Sequence, residues 1–492
     1  MSIYKKLVGQ TAIYGLSSIV GRVINFLLTP LLTVIFIRSD YGIYSEFYAY
    51  STFLLILFTY GFETAFFKFW KSEDDKQKVY STAFFSILTT TFFLSGLAVL
   101  FRHQIADFLG YPDRSIYVIY FALIIGFDSL ISIPLARLRQ NGKAALYAVT
   151  KLSSIFVSVG FVLFFLLYCP WIVERSPQGW ISTWFNPNFG VGYVFLANLI
   201  ASTVSLIILI PQLKQLSFSV DSKLWKRMMI FAVPLLFAGL AGTINETLDR
   251  ILLKYMLPYD TTTNLALLGV YSGCYKLSMF MTLAVQAFRM GAEPFFFAQS
   301  TEKNAPQTYA KVMRYFVITG LLIFVGVNGF IDILKHFVAE PYHEGLVVVP
   351  ILLLANLLLG VFFNLSIWYK LTSRTSAALV LALIGATVTV VLNVIWIPTL
   401  GYVGSAWATL CCYFLMAAVS YLWGKKYFPI PYPLKAIGLY SLLAFVIFFL
   451  HQYLRNSAFS ENLLGSLISG GVGVLIFIAT AYFFETKKKV LI

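Results

Sequence analysis

The chain has 492 residues, of which 59% are hydrophobic, 17% aromatic and only 12% charged, with a mean hydropathy of +0.81. Soluble globular chains carry about 25% charged residues, so a water-soluble enzyme or nucleic-acid-binding domain is excluded and a membrane protein is implied. The net charge of +15 has to be explained by where the basic residues sit.

A spanning helix takes about 20 mostly apolar residues. In chain order the qualifying stretches are 10–37, 42–67, 80–101, 115–136, 145–169, 190–211, 229–256, 266–298, 312–335, 345–369, 376–398, 401–423, 436–454 and 463–484. They are continuous runs without period-two alternation, which predicts helices and excludes barrel strands. The first follows Lys5 and Lys6 and is too long for a signal-peptide core, so it is expected to be retained as the first of about fourteen transmembrane helices. The longest gap runs from Cys169 to Gly190, which leaves no room for an extramembrane catalytic domain. Cys169, Cys274, Cys411 and Cys412 lie in or beside apolar stretches with no zinc-ligand spacing, so they read as packing residues. No metal site and no cofactor are expected.

Basic residues gather in alternate turns: Lys71, Lys76 and Lys78; Arg137, Arg139 and Lys143; Lys223, Lys226 and Arg227; Lys425 and Lys426; and Lys487, Lys488 and Lys489 in the tail. The intervening turns hold few, among them Arg38, Arg102, Arg114 and Arg455. By the positive-inside rule both termini are expected in the cytoplasm, and the basic charge needs no nucleic acid.

The chain also repeats itself. Gly15-Leu16 with a polar cluster ending at Asn25 matches Gly239-Leu240 with a cluster ending at Asp249. Gly42-Ile43-Tyr44-Ser45 matches Gly269-Val270-Tyr271-Ser272, and Gly61-x-Glu63-x-x-Phe66-Phe67 matches Gly291-x-Glu293-x-x-Phe296-Phe297. Three matches in order at nearly constant offset predict two six-helix halves of like orientation, related by a pseudo-two-fold along the membrane normal. The expected divisions are residues 1–220 and 221–427, followed by a helix pair and basic tail over 428–492.

No nucleophile–base constellation or phosphate-binding loop is present, so the chain is not expected to be an enzyme or to hydrolyse ATP. The informative residues are ionisable or polar groups inside apolar stretches, which are costly there and mark cavities or partners. In the first stretch Ser18, Arg22, Asn25, Thr29 and Thr33 share one helical face, with Arg22 about 18 Å from the helix start at 1.5 Å per residue. The eighth carries Gln286, Arg289 and Glu293, and just ahead of them Lys276; the seventh carries Glu246, Asp249 and Arg250. Arg22, Asn25, Arg289, Gln286, Lys276 and Arg250 are the candidate cavity residues. Asp128, Glu63, Glu246, Asp249 and Glu293 are candidates for gating or ion coupling. For each the competing role is structural: Glu293 can neutralise Arg289 one turn away, Glu246 can pair with Arg250, and Lys151 is near enough to a helix end to snorkel.

The stretch Thr11–Tyr50, ending Ser39-Asp40-Tyr41-Gly42-Ile43-Tyr44-Ser45, resembles the opening of polysaccharide transporters. Leu248-Asp249-Arg250 through Gly269-Val270-Tyr271-Ser272 and Lys276 is similar to their seventh-to-eighth helix signature, and Gly401-x-x-Gly404-Ser405-Ala406 to the start of their twelfth helix. The resemblance is to the lipid-linked oligosaccharide (O-antigen) flippases, within the multidrug/oligosaccharidyl-lipid/polysaccharide exporter superfamily. It implies a flippase of the bacterial inner membrane that moves a polyprenyl-pyrophosphate-linked glycan from the cytoplasmic to the periplasmic leaflet. It would work by alternating access around a central cationic cavity, and serve synthesis of surface polysaccharide such as lipopolysaccharide. A proton or sodium ion is left open as the coupling ion. Membrane lipids, a polysaccharide polymerase and glycosyltransferases are the partners the resemblance suggests. A lipid II flippase and an ion-coupled multidrug extruder are the alternatives; a polymerase or ligase would need a larger outer loop.

Overall fold

The computed structural model describes residues 15, 17, 19–218, 220–374, 376–457 and 462–490, and of these the side chains of 293 and 487–490 are not described. Lys5, Lys6, Leu16 and Ser18 therefore lie outside the described residues, as do the side chains of Glu293 and of Lys487, Lys488 and Lys489. Among the described residues every regular element is helical. Among these same residues ten helices are long and apolar enough to cross a membrane, and Ile19–Ile35 and Gly192–Ile208 are shorter apolar helices. The chain is a multi-pass membrane protein.

The helices, in order, are α1 (Ile19–Ile35), α2 (Arg38–Thr59), α3 (Phe62–Ser72), α4 (Lys76–Leu100), α5 (Ser115–Gln140), α6 (Ala144–Leu163), α7 (Gly192–Ile208), α8 (Ser222–Met256), α9 (Thr261–Tyr275), α10 (Met279–Gln299), α11 (Ala305–Gly329), α12 (Val348–Leu365), α13 (Ser376–Tyr427), α14 (Leu434–Ser457) and α15 (Leu463–Val490). Two joints differ from the sequence expectation and a third agrees with it. The stretch 42–67 is broken at Tyr60 (φ 35°) and Gly61 (φ 78°), so that Phe62 begins a new helix with Glu63 in its first turn. The stretch 266–298 is divided by a 3-10 turn, Lys276–Ser278. The stretches 376–398 and 401–423 are two helices that meet at a kink within α13, where Gly401 takes φ 63°, ψ −148°, a conformation open essentially to glycine alone.

Two compact units emerge. The first comprises residues 1–28 and 43–243, the second 29–42 and 244–492. In the first, α2, α5 and α7 meet through a cluster of rings: Phe47 lies 5.0 Å from Phe121 and 5.4 Å from Phe195, and Phe121 and Phe195 stand edge to face at 4.7 Å. Such aromatic pairs add about 0.5–1.5 kcal/mol each beyond their buried area. At the opposite end of α2, the buried side chains Phe62, Phe66, Tyr80, Ile133 and Met228 pack α3 against α4, α5 and α8.

In the second unit, the N-terminus of α2 crosses α9 at the two glycines of the repeated Gly-x-Tyr-Ser motif. A Cβ on Gly42 would stand 2.0 Å from the Leu265 carbonyl oxygen, and one on Gly269 would stand 2.0 Å from the Arg38 carbonyl oxygen. Each glycine thus faces the carbonyl one turn before the other, a reciprocal contact only bare backbone permits. The same junction is tied to the segment after α11. Tyr342 Oη donates to the Phe36 carbonyl at 2.9 Å, Ala339 N–H donates to Thr33 Oγ1 at 3.2 Å, and Arg38 pairs with Glu344 at 2.6 Å.

The C-terminal helices α14 and α15 are fixed to α11 at both ends. Beyond one end, Asp332 accepts from Arg455 Nε and Nη2, each at 2.9 Å, from Lys335 at 3.0 Å and from Ser466 at 2.7 Å. Toward the other, Arg314 pairs with Glu485 at 2.7 Å. Between them Gly329 and Gly470 touch backbone to backbone.

Candidate functional site

Within the first unit α1, α2, α5, α6 and α7 enclose a cavity of about 700 Å³, in the range of small-molecule sites, about 300–1,000 Å³. Among the described residues five charged side chains line it: Arg22 from α1, Glu63 from the start of α3, Asp128 and Arg139 from α5, and Lys151 from α6. Three cations against two carboxylates leave the wall cationic. Between the charges it is lined by hydroxyls and amides, including Asn25, Ser51, Thr52, Thr150, Asn198 and Ser205.

The helices explain this placement. Arg22 and Asn25 are three apart and share a face, and both are exposed on the cavity side. Asp128 and Arg139 lie three turns apart on α5, so one helix carries both signs along one wall. Asp128 Oδ1 accepts from Ser202 Oγ at 2.8 Å. Beside it Tyr48 Oη and Asn198 are hydrogen-bonded, Asn198 Oδ1 accepts from Ser158 Oγ at 2.9 Å, and Asn198 donates to the Val194 carbonyl at 2.9 Å. At the cavity's end, Arg139 Nη1 donates to Glu63 Oε1 at 2.8 Å.

The sequence candidates therefore fall into separate groups. Arg22, Asn25, Glu63 and Asp128 come together in the cavity. Glu246, Asp249, Arg250 and Lys276 belong to the second unit. There Asp249 accepts from Tyr271 Oη at 2.6 Å and pairs with Arg250 at 3.6 Å, while Arg250 also donates to the Glu246 carbonyl at 3.0 Å and stacks over Tyr275 at 4.5 Å. Lys276 follows on the 3-10 turn, within electrostatic reach of Arg250. This dense internal pairing suits a role in holding α8 to α9. Arg289, also in the second unit, has its guanidinium 4.4 Å over Phe363 in a shallow recess shared with Ser366 and Lys370. Gln286, one turn earlier on α10, is half-buried.

Lys151, expected to snorkel to a helix end, instead lines the cavity. Arg139, counted with the basic turn after α5, does so too. Tyr48, Asn198 and Ser202 were missed as site residues: they carry no charge, and they meet only in the tertiary fold. Glu46, one turn after Gly42, was also missed; its side chain is fully buried and accepts from Tyr111 Oη. Among the described residues no group of three or more His, Cys, Asp or Glu side chains is placed to hold a metal ion.

Residues 7–299 match the family described as polysaccharide biosynthesis protein, more than half of the chain. No curated protein sequence matches. Among solved structures, the chain is similar to the lipid II flippase MurJ in an inward closed conformation. The TM-score is 0.73 and the identity 16%, covering 96% of this chain and 99% of that one. It is also similar to an inward-facing multidrug resistance MATE family transporter of the MOP superfamily, with TM-score 0.59 and 13% identity over 82% of this chain and 94% of that one. The Vibrio cholerae MATE transporter VcmN in its bent form gives TM-score 0.54 and 12% identity over 86% and 96%. At these identities the likeness establishes the fold.

Proposed function

The chain belongs to the polysaccharide biosynthesis protein family, and we propose that it is a flippase of the bacterial inner membrane for a polyprenyl-pyrophosphate-linked oligosaccharide. The observation that supports this reading most is the charge and wall chemistry of the first-unit cavity. A diphosphate with attached sugars cannot cross a hydrocarbon layer about 30 Å thick bare, because isolated charge in that medium costs tens of kcal/mol. Arg22, Arg139 and Lys151 offer the phosphate oxygens charge-assisted hydrogen bonds. The hydroxyls and amides between them offer sugar hydroxyls the partners they lose on leaving water, and the polyprenyl chain stays in lipid.

The distribution of Lys and Arg supports cytoplasmic termini, and on that reading the Glu63–Arg139 end of the cavity would lie on the cytoplasmic side. The two repeat-related halves would expose their interior alternately to either face. On this reading α1 passes from one unit to the other between residues 28 and 29, where Leu28 interrupts the helix one residue before Thr29-Pro30, and that bend would flex as the outer junction opens. Gln286 and Arg289, outside the paired cluster that holds α8 to α9, would act on the path of release. Glycosyltransferases and a polysaccharide polymerase would supply and consume the lipid-linked glycan, and lipid II is the alternative cargo of the same headgroup chemistry.

A second reading, an ion-coupled multidrug extruder, draws on Asp128 and Glu63, which could hold an organic cation. The two are separated by binding measurements on purified protein with farnesyl diphosphate and with ethidium. The flippase reading expects saturable binding of the diphosphate, weakened about 10- to 100-fold by Arg22→Ala, the loss of one charged hydrogen-bonding partner at about 1.5–3 kcal/mol. Binding of ethidium and not of the diphosphate would overturn it.

A further inference from the structure

We propose that Arg139 is a phosphate-binding residue of the cavity and that Glu63 is its built-in competitor, a carboxylate that occupies the guanidinium until the substrate's diphosphate displaces it. The inference rests on the diphosphate reading above and goes beyond it by assigning two residues and the exchange between them.

Three observations carry it. Arg139 and Glu63 both line the cavity, and they are paired at 2.8 Å. Each is set at a helix end that favours its charge: Glu63 in the first turn of α3, Arg139 in the last turn of α5. Finally, Glu63 continues the cavity-facing row of Tyr48, Thr52, Leu55 and Thr59 across the break at Tyr60 and Gly61, where two consecutive residues have positive φ. The non-glycine residue in this pair, Tyr60, makes the break a conformation of appreciable cost, and it is anchored by Tyr60 Oη to Ser86 Oγ at 2.7 Å.

The pair is also the right strength to be exchanged. The two side chains are 42% and 45% exposed, and ion pairs this open to water shift an equilibrium by no more than about fivefold. A diphosphate carries more charge than one carboxylate and presents several oxygens to the planar guanidinium, so it wins the exchange. When the ligand leaves, Glu63 returns, and Arg139 does not hold product.

The test is a double-mutant cycle in the full-length purified protein, reading the dissociation constant for farnesyl diphosphate, with monodispersity and melting temperature as controls. Glu63→Gln is expected to tighten binding by up to about fivefold, Arg139→Gln to weaken it about tenfold, and Glu63→Gln to have no effect once Arg139 is Gln. Unchanged or weaker binding in Glu63→Gln overturns the proposal. So does equal tightening with and without Arg139, which would mean a general field effect of the carboxylate. In both cases the wild type still binds, so the diphosphate reading survives. Failure of the wild type to bind farnesyl diphosphate overturns both.

Discussion

Adding one methyl group at Gly269 is a demanding check on the packing. The new Cβ would stand 2.0 Å from the Arg38 carbonyl oxygen, 2.9 Å from its carbon and 3.1 Å from Gly42 N. Normal contact for such atoms is about 3.5 Å, so the helices must part by about 1.5 Å, and since the obstructing atoms are backbone no rotamer change can relieve them. Overpacking of this kind costs about 1–3 kcal/mol. The offsetting gain, from replacing a helical glycine by alanine, is about 1 kcal/mol, and parting the helices also loosens the Tyr342–Phe36 and Ala339–Thr33 bonds beside the crossing. Gly269→Ala should therefore lower the melting temperature in detergent, measured by loss of the monodisperse peak after heating. Gly42→Ala should do the same, because the crossing is reciprocal. The double substitution should cost less than the sum, since one parting of the helices relieves both. Gly326→Ala on α11, where nothing lies within 4 Å of the added carbon, is the control and should be neutral or slightly stabilising. A Gly269→Ala protein as stable as the control would refute the crossing.

Three further outcomes are expected. Asp332→Asn, which removes the charge that Arg455 and Lys335 share, should destabilise the protein by on the order of 3 kcal/mol, read as earlier proteolysis of the α14–α15 pair. Asp260 caps α9 by accepting from Thr262 N–H, Thr263 N–H and Thr263 Oγ1; the Thr263 bonds are the main cause that holds its carboxyl below the usual carboxylate range. The cap's contribution is present above the ordinary carboxylate pKa and is lost as pH falls through the depressed one, so the difference in melting temperature between wild type and Asp260→Asn should shrink on acidification below about pH 4. Pro30→Ala, which restores a backbone donor where α1 passes between units, should slow translocation while leaving the dissociation constant for farnesyl diphosphate unchanged.

Much of the architecture was legible because lipid imposes a simple pattern. Long apolar runs could only be helices, and the Gly-x-Tyr-Ser repeat pointed to Gly42 and Gly269, which meet in the structure. Joints were harder to read. Nothing local distinguishes Lys276–Ser278 from continuing helix, and the break at Tyr60–Gly61 depends on Gly61 lying against Ala232 and Leu235 of α8. The site was half legible for a similar reason. Arg22, Asn25, Glu63 and Asp128 stood out as polar groups in apolar runs. Arg139 and Lys151 did not, because a basic residue near a helix end is what the positive-inside rule already predicts. Only the placement of α5 and α6 beside α1 turns those two charges inward.

The most direct test of the central claim is translocation itself. Proteoliposomes would carry a fluorescent short-chain polyprenyl-diphosphate oligosaccharide, with flipping read by protection from a membrane-impermeant quencher. The account predicts that the wild type accelerates flipping over protein-free vesicles and that folded Arg22→Ala protein does not. Ethidium extrusion by the wild type without flipping of the diphosphate lipid would contradict it.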